Sequence, residues 1–231
     1  MRGRLLVIWA SVLVNAGCSV FGIRTSEEIS YAVLEENDDI EIRRYSPYLA
    51  AEASMTGGYE SVQRPLFRVL AGYIFGKNTA QKPFAQKVDV HIGAPGNTAS
   101  ESAAQASAPD EQQTSEKIAM TAPVLVVPAK ANTWTMKFSI PTKYTIDTVP
   151  KPVDPRVQLI EVPAKTVAVL RFSGAFGDLP TREAKTAVLL ERLAENRAYK
   201  AIGQPYYAGY DPPFTLPFLR RNEVLVEVTS R

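Results

Sequence analysis

The chain has 231 residues, with 26 Lys and Arg against 24 Asp and Glu and a formal net charge of +2 at pH 7. One folded domain is expected at this length, and a nearly neutral chain without clusters of basic residues argues against a nucleic-acid partner. The single cysteine and the single histidine, Cys18 and His91, exclude a zinc site, a Cys/His catalytic site and an internal disulfide.

The N-terminus is typical of a secretory leader. Arg2 and Arg4 precede an apolar run, residues 5–14, that is too short to span a bilayer comfortably. We predict a leader over residues 1–17, a tether over 18–28 and one domain over 29–231. Removal of the leader takes away two arginines and no acid, so the exported chain is neutral.

The residues at the end of this leader resemble the lipobox of bacterial lipoproteins. Ala16-Gly17-Cys18 fits that pattern, whereas Asn15 stands where the pattern has an aliphatic residue. The resemblance implies acylation of Cys18, and Ser19 after it favours the outer membrane over the inner one. Plain cleavage or an uncleaved leader is the alternative. The predicted location is the periplasmic side of the cell envelope, with a lipid anchor at Cys18.

The first half of the domain begins with strand patterns. Residues 31–35 and 40–45 alternate as a hairpin around the turn 37–39, and residues 48–55 form a further strand. A helix is predicted from the apolar spacing over 66–75. Pro65 is its first residue and Gly76 its end.

Residues 79 to about 115 differ from their surroundings. They are rich in Ala, Ser, Gln, Gly and Pro, with almost no large apolar residue after Ile92. Such a segment buries too little surface to offset its ordering entropy, so it is predicted to be a disordered insertion. His91 lies in it and is interpreted as a solvated residue, not as a ligand of iron or zinc.

Strands follow the insertion. Residues 118–127 and 133–141 are predicted to pair, and Trp134, Met136, Phe138 and Ile140 alternate on one buried face of the second strand. A proline-rich linker, residues 148–155, leads into the second half. There, strands are predicted over 157–162, 165–172 and 222–228, and residues 206–213 are predicted to be an aromatic strand that enters a turn.

The clearest helix pattern covers residues 180–196, with Pro180 at its start. Its apolar stripe is predicted to face the core and its charged back the solvent. The stripe comprises Ala184, Ala187, Val188, Leu190, Glu191 and Ala194, and the charged back contains Arg182, Glu183 and Lys185.

The two halves resemble each other. Thr56-Gly57-Gly58-Tyr59 aligns with Ser173-Gly174-Ala175-Phe176, and each half reads as two strands, a glycine turn, a helix and two more strands. Two such units can pair through their sheets and bury both helices. The pattern predicts an α+β domain with pseudo-twofold, duplicated halves. Chance similarity of two short α+β segments is the alternative.

Four segments carry a resemblance to the SOUL, or haem-binding-protein, family. They are residues 40–45 (IEIRRY), 70–78 (LAGYIFGKN), 117–124 (KIAMTAPV) and 208–224 (AGYDPPFTLPFLRRNEV). The resemblance runs from about Tyr31 to Val228 in the family's order, and the insertion departs from it. It implies a distorted antiparallel β-barrel with two helices, similar to the gyrase-inhibitor-like effector fold.

The same resemblance implies a ligand and a site. Members of the family bind haem and other tetrapyrroles, and the matching positions here are Arg64, Phe67, Arg68 and Leu70 on the first helix, with Met120 and Tyr210 as neighbours. Apolar walls suit the macrocycle and a rim arginine suits a propionate. For each residue the alternative is an ordinary place in the core or on a solvated helix face.

The resemblance leaves the function open between classes. A monomeric tetrapyrrole-binding protein with weak or no axial ligation is the first hypothesis, with haem as its cofactor. The second is an envelope module for another hydrophobic small molecule or for interactions. An enzyme acting on tetrapyrroles is the third. No catalytic or metal-ligating residue is predicted, because the acids form no pair readable from sequence and no nucleophile or phosphate motif occurs.

Overall fold

The structure, a computed structural model, describes residues 26–37, 39–81, 114–130 and 132–231. The predicted leader, Cys18, His91 and most of the predicted insertion lie outside these ranges. Eleven strands and two α-helices occur in the described chain. The strands are β1 (Tyr31–Asn37), β2 (Ile40–Tyr45), β3 (Tyr48–Thr56), β4 (Asn78–Thr79), β5 (Val124–Ala129), β6 (Thr133–Ser139), β7 (Lys151–Pro152), β8 (Gln158–Val162), β9 (Lys165–Phe172), β10 (Tyr199–Gly209) and β11 (Asn222–Ser230); the helices are α1 (Tyr59–Ile74) and α2 (Leu179–Glu195).

Nine of these strands form one antiparallel sheet, in the order β1-β2-β9-β11-β10-β5-β6-β3-β8. If each strand is exchanged with its counterpart in the other half (β2 with β8, β3 with β9, β5 with β10, β6 with β11), the order from β2 to β8 is reversed and otherwise unchanged. The pseudo-twofold axis therefore passes between β5 and β10. This palindrome fits the duplication predicted from the glycine turns.

The predicted α+β class with two helices and an antiparallel sheet is confirmed, but the predicted barrel is not closed. The sheet has two ends, β1 and β8, which do not pair with each other in the described chain. Each end strand hydrogen-bonds to one neighbour only, β1 to β2 and β8 to β3. A closed barrel needs a partner on both sides of every strand.

Both helices pack on the same face of this sheet. Leu66, Leu70 and Tyr73 of α1 are no more than 1 % exposed, and Leu189 and Leu193 of α2 enter the same core cluster. The opposite face carries a second cluster that is rich in tyrosine. The strands β2, β5, β9, β10 and β11 contribute buried residues to both clusters, so their side chains alternate between a helix-covered face and a tyrosine-rich face.

The first helix begins earlier than predicted. It starts at Tyr59, so Pro65 lies inside it and not at its first position. Tyr59 and Val62 are buried in step with Leu66, and this apolar contact extends the helix toward its N-terminus. The proline gives up one intrahelical hydrogen bond in exchange.

Residues 118–123 were predicted as the start of a strand, and this prediction is wrong. The strand β5 begins at Val124, one residue after Pro123, which has no N–H for a ladder. Separate hydrogen bonds hold the preceding residues: Ile118 N–H donates to Ile74 O (2.8 Å), Ala122 N–H donates to Glu27 O (2.9 Å), and the Thr121 hydroxyl bonds to Ser139.

The two ends of the segment that contains the insertion lie together. Ala80 N–H donates to Thr114 O at 2.8 Å, and the Asn78 side chain bridges Tyr73 O and Glu116 O at 2.7 and 2.8 Å. Asn78 is 4 % exposed. The buried Asn78 amide donates to both carbonyls and thereby joins the two ends of the segment that contains the insertion. Among the described residues, no helix is long and apolar enough to cross a membrane.

Candidate groove between the first helix and the second glycine turn

A groove of about 440 Å³ lies between α1, the turn before α2 and the segment that links β10 to β11. Phe67 forms one wall. It is 37 % exposed and its ring meets the Phe138 ring edge-on, with 5.4 Å between centroids. Val124 and Met136, on the helix-covered face of the sheet, also line the groove, and Phe176 forms the opposite wall. A hydrophobic ligand can therefore be held between two aromatic side chains.

The wall at Phe176 depends on a glycine. A Cβ atom placed on Gly209 would lie 2.7 Å from two carbons of the Phe176 ring, closer than real contacts allow. Any side chain at this position would push the ring out of its place. The glycine in the family segment 208–224 thus sets the shape of the groove.

Positive charge borders the groove. Arg64 and Arg68 are exposed on α1, and Arg220 lies at the other end, where its Nε donates to Thr215 O at 2.7 Å. Asp211 is the acid among the lining residues, and its carboxylate accepts from Arg221 N–H at 2.7 Å. The excess of arginines over acids in the groove lining favours a ligand that carries negative charge.

A buried arginine lies behind the aromatic wall. Arg182 is 0 % exposed, and its guanidinium carbon lies 4.1 Å from the Phe176 ring centroid and 4.7 Å from those of Tyr59 and Tyr207. Burial lowers the pKa of Arg182, and the neighbouring Tyr59 opposes this shift. Three aromatic faces hold the cation by stacking.

The burial of Arg182 corrects the prediction for the second helix. Arg182 was assigned to the charged back of α2, whereas the buried residues of α2 are Arg182, Leu189 and Leu193. Of the predicted stripe, Val188 and Leu190 are 40 % and 38 % exposed. The apolar spacing alone could not reveal a cation that is covered by rings from three other segments.

The structure brings three of the predicted site residues together and separates the others. Arg64, Phe67 and Arg68 line the groove. Leu70 is 0 % exposed in the core beneath α1, and Met120 is outside the groove lining. Tyr210 lies on the tyrosine-rich face, because it alternates with Gly209, which faces the groove. Met136, identified from the sequence only as a buried strand residue, lines the groove instead.

Tyr210 belongs to a buried polar network on that other face. Its hydroxyl donates to Glu223 Oε2 at 2.7 Å, and Glu223 also accepts from Arg43 Nη1 at 3.0 Å and Arg221 Nε at 2.9 Å. Burial raises the pKa of Tyr210 well above its ordinary value. These groups satisfy one another, which indicates a structural role for Tyr210.

A second depression of about 260 Å³ lies between β2 and α2. Three acids, Glu35, Asp39 and Glu195, line it together with Arg192. An anionic ligand would be repelled here. In the described part of the chain, no group of three or more His, Cys, Asp or Glu residues could hold a metal ion.

A duplicated α+β fold with an open, apolar, arginine-bordered groove has the features of a small-molecule-binding protein. The chain belongs to the SOUL haem-binding protein family, whose model matches residues 26–107 and 107–227. The family resemblance found in the sequence is thereby confirmed. No curated protein matches the chain.

Solved structures are similar at low identity. The C-terminal domain of EcmrR is 9 % identical with a TM-score of 0.49, covering 87 % of this chain and 99 % of that one. A hydrolase from Listeria innocua is 9 % identical with a TM-score of 0.44, over 85 % and 94 % of the two chains. SAV2435 bound to tetraphenylphosphonium is 9 % identical with a TM-score of 0.41, over 87 % and 94 %. Such scores carry no inference about function.

Proposed function

We propose that this protein binds haem or another tetrapyrrole in the groove beside α1, without catalysing a reaction. The observation that supports this most is the pair of aromatic walls, Phe67 and Phe176, with Arg64 and Arg68 at the rim. Flat apolar macrocycles pack on aromatic rings, and carboxylates pair with arginine. The groove volume of about 440 Å³ lies in the range of small-molecule sites.

The lining residues fit the macrocycle better than they fit the iron. Haem iron is commonly held by His, Cys, Met or Tyr. Among the residues that the structure describes, Met136 and Tyr59 are the ones of these types that line the groove, and both are 3 % exposed. We therefore propose that contact with the macrocycle and charge pairing with the propionates provide most of the affinity, with weak or no axial ligation. A monomer suffices, because one chain supplies every lining residue.

The rim arginines provide the test. The double variant R64E/R68E is expected to weaken haemin binding about tenfold or more, because it replaces two attractive charges with two repulsive ones beside the propionates. Haemin is titrated into the purified protein while the Soret band is followed at fixed ionic strength.

The matched control is R192E/R197E, which makes the same change in net charge at two exposed arginines outside the groove. It is expected to bind like the wild type. Because Arg192 lines the other depression, weaker binding of the control alone would move the site there.

Absence of a saturable Soret shift with the wild type would end the haem proposal. Saturable binding of other apolar ligands would then favour the module for a different hydrophobic molecule, and turnover of a metalloporphyrin would favour the enzyme.

We also propose that the protein acts in the bacterial cell envelope, anchored by a lipid at Cys18. The basic and apolar leader and the Ala16-Gly17-Cys18 sequence support this. In bacteria grown with radiolabelled palmitate, the wild-type chain is expected to carry label in the membrane fraction, and C18S to carry none. Equal labelling of the two chains would contradict acylation at this residue.

A further inference from the structure

All the orphaned polar side chains of the described interior lie in one place. Among the residues that the structure describes, the buried side-chain nitrogen and oxygen atoms without a hydrogen-bond partner are Tyr59 Oη and the Nε, Nη1 and Nη2 atoms of Arg182. Buried polar groups in proteins are nearly always paired, so four orphans in one cluster require an explanation.

The cluster has many donors and one acceptor atom, the Tyr59 phenol oxygen, which makes no hydrogen bond of good geometry. A guanidinium has five N–H donors and no acceptor, and a phenol adds one O–H. The nearby acid, Asp178, is already committed to the start of α2: its Oδ1 accepts from Thr181 N–H at 3.2 Å and its Oδ2 from the Thr181 hydroxyl at 2.7 Å. The partner that fits this cluster is a carboxylate, whose two oxygens accept from a guanidinium side by side.

The Phe176 ring separates Arg182 from the groove, which Tyr59 itself lines. It lines the groove, and its centroid lies 4.1 Å from the Arg182 guanidinium carbon. The turn that carries it is fixed at Gly174, whose N–H donates to Pro217 O and whose carbonyl accepts from Asn222 Nδ2, each at 3.0 Å. The Phe176 side chain makes no hydrogen bond and is held by packing and by its contact with the Arg182 cation, so rotation of the ring can connect the groove with Arg182.

We infer that Arg182 and Tyr59 form a carboxylate-binding subsite at the inner end of the groove, which a ligand reaches by displacing the Phe176 ring. This inference rests on the proposed ligand groove and defines its ligand class as an apolar body that bears a carboxylate. Arg64 and Arg68 pair with ligand carboxylates that remain in solvent, whereas Arg182 pairs with a carboxylate that is removed from solvent. An ester in place of the carboxylate has no negative charge for Arg182.

The competing explanation is purely structural: Arg182 holds three rings together by cation–π contact. A stability measurement cannot separate the two roles, because replacement of Arg182 changes the free energy of unfolding in either case. The ratio of affinities for a carboxylate ligand and its uncharged ester does separate them. A structural cation affects both ligands alike.

The experiment measures dissociation constants of haemin and of haemin dimethyl ester for the full chain. The wild type is expected to prefer haemin by about tenfold or more, as a charge-assisted hydrogen bond provides. In R182M this preference is expected to narrow to about twofold through weaker haemin binding, with R182K restoring part of it and Y59F reducing it less. The matched control R192M, an exposed arginine of the same helix, is expected to keep the full preference.

Three outcomes decide the inference. If R182M and Y59F both keep the wild-type preference, the rim arginines alone recognise the carboxylate and the inference is overturned. If R182M does not fold, Y59F and F176A decide: loss of the Phe176 wall weakens both ligands, but the preference of F176A for haemin over its ester should be at least that of the wild type, and a smaller preference together with an unchanged Y59F preference overturns the inference. If the wild type binds neither porphyrin, the haem proposal fails. The dissociation constants of dodecanoate and dodecanol are then compared in the same way. A preference for dodecanoate that R182M removes sustains the subsite, and no such preference overturns it.

Discussion

Glu223→Leu is expected to lower the free energy of unfolding by about 3–5 kcal/mol, because it leaves two arginines in the interior without the carboxylate that they share. Glu223 is 0 % and Arg43 1 % exposed, and 3.0 Å separates Glu223 Oε2 from Arg43 Nη1. Burial lowers the pKa of Arg43, but the hydrogen bonds and charges of Glu41 and Glu223 outweigh it and hold the pKa above its ordinary value. Urea unfolding at pH 7 measures the change.

The control is another acid of β11. Glu227 pairs with Lys165 at 2.7 Å, but its side chain is 42 % exposed, so E227Q is expected to cost at most about 1 kcal/mol. Replacing both members of the interior pair, as in R43M/E223L, is expected to recover much of the loss, since no unpaired charge then remains at Arg43. Equal losses for E223L and E227Q would contradict the structural role given to this network.

Leu70→Ala is expected chiefly to lower stability and Phe67→Ala chiefly to lower ligand affinity, although the two residues are only three positions apart on α1. Leu70 is 0 % exposed, so its truncation should cost about 2–5 kcal/mol of stability through the cavity it leaves. Phe67 is 37 % exposed and faces the groove, so its truncation should cost about 1 kcal/mol of stability, chiefly the edge-on contact with Phe138.

Ligand affinity shows the reverse order. F67A is expected to weaken haemin binding about tenfold, since an aromatic wall of the groove is lost, whereas folded L70A binds as the wild type does. Urea unfolding and Soret titration of the same two preparations check both parts. If L70A lost affinity while stable and F67A kept it, Leu70 would be the ligand residue and the groove would be misplaced.

The sequence predicted features that repeat locally. The alternation in residues 31–45 identified the hairpin of β1 and β2, and that of Met136 and Phe138 identified the buried face of β6. The glycine turns Gly57 and Gly174 revealed the duplication that orders the sheet. Each of these follows from the period of a strand or from a turn residue, which short stretches of sequence contain.

Properties that depend on distant contacts were not predictable in this way. Arg182 has the sequence context of a solvated helix residue, but in the fold its guanidinium lies against the rings of Tyr59, Phe176 and Tyr207, which come from separate segments. Strand alternation could have placed Gly209 and Tyr210 on opposite faces. The resemblance named Tyr210 for the ligand site, but it could not decide which face of the sheet carries the ligand.

The most direct test of the account is a crystal structure of the protein grown with haemin. The expected result is a porphyrin in the groove, with its macrocycle against Phe67 and Phe176 and its carboxylates near Arg64, Arg68 and Arg182. A porphyrin bound against the tyrosine-rich face beside Tyr210, or in the acid-lined depression by Arg192, would contradict it.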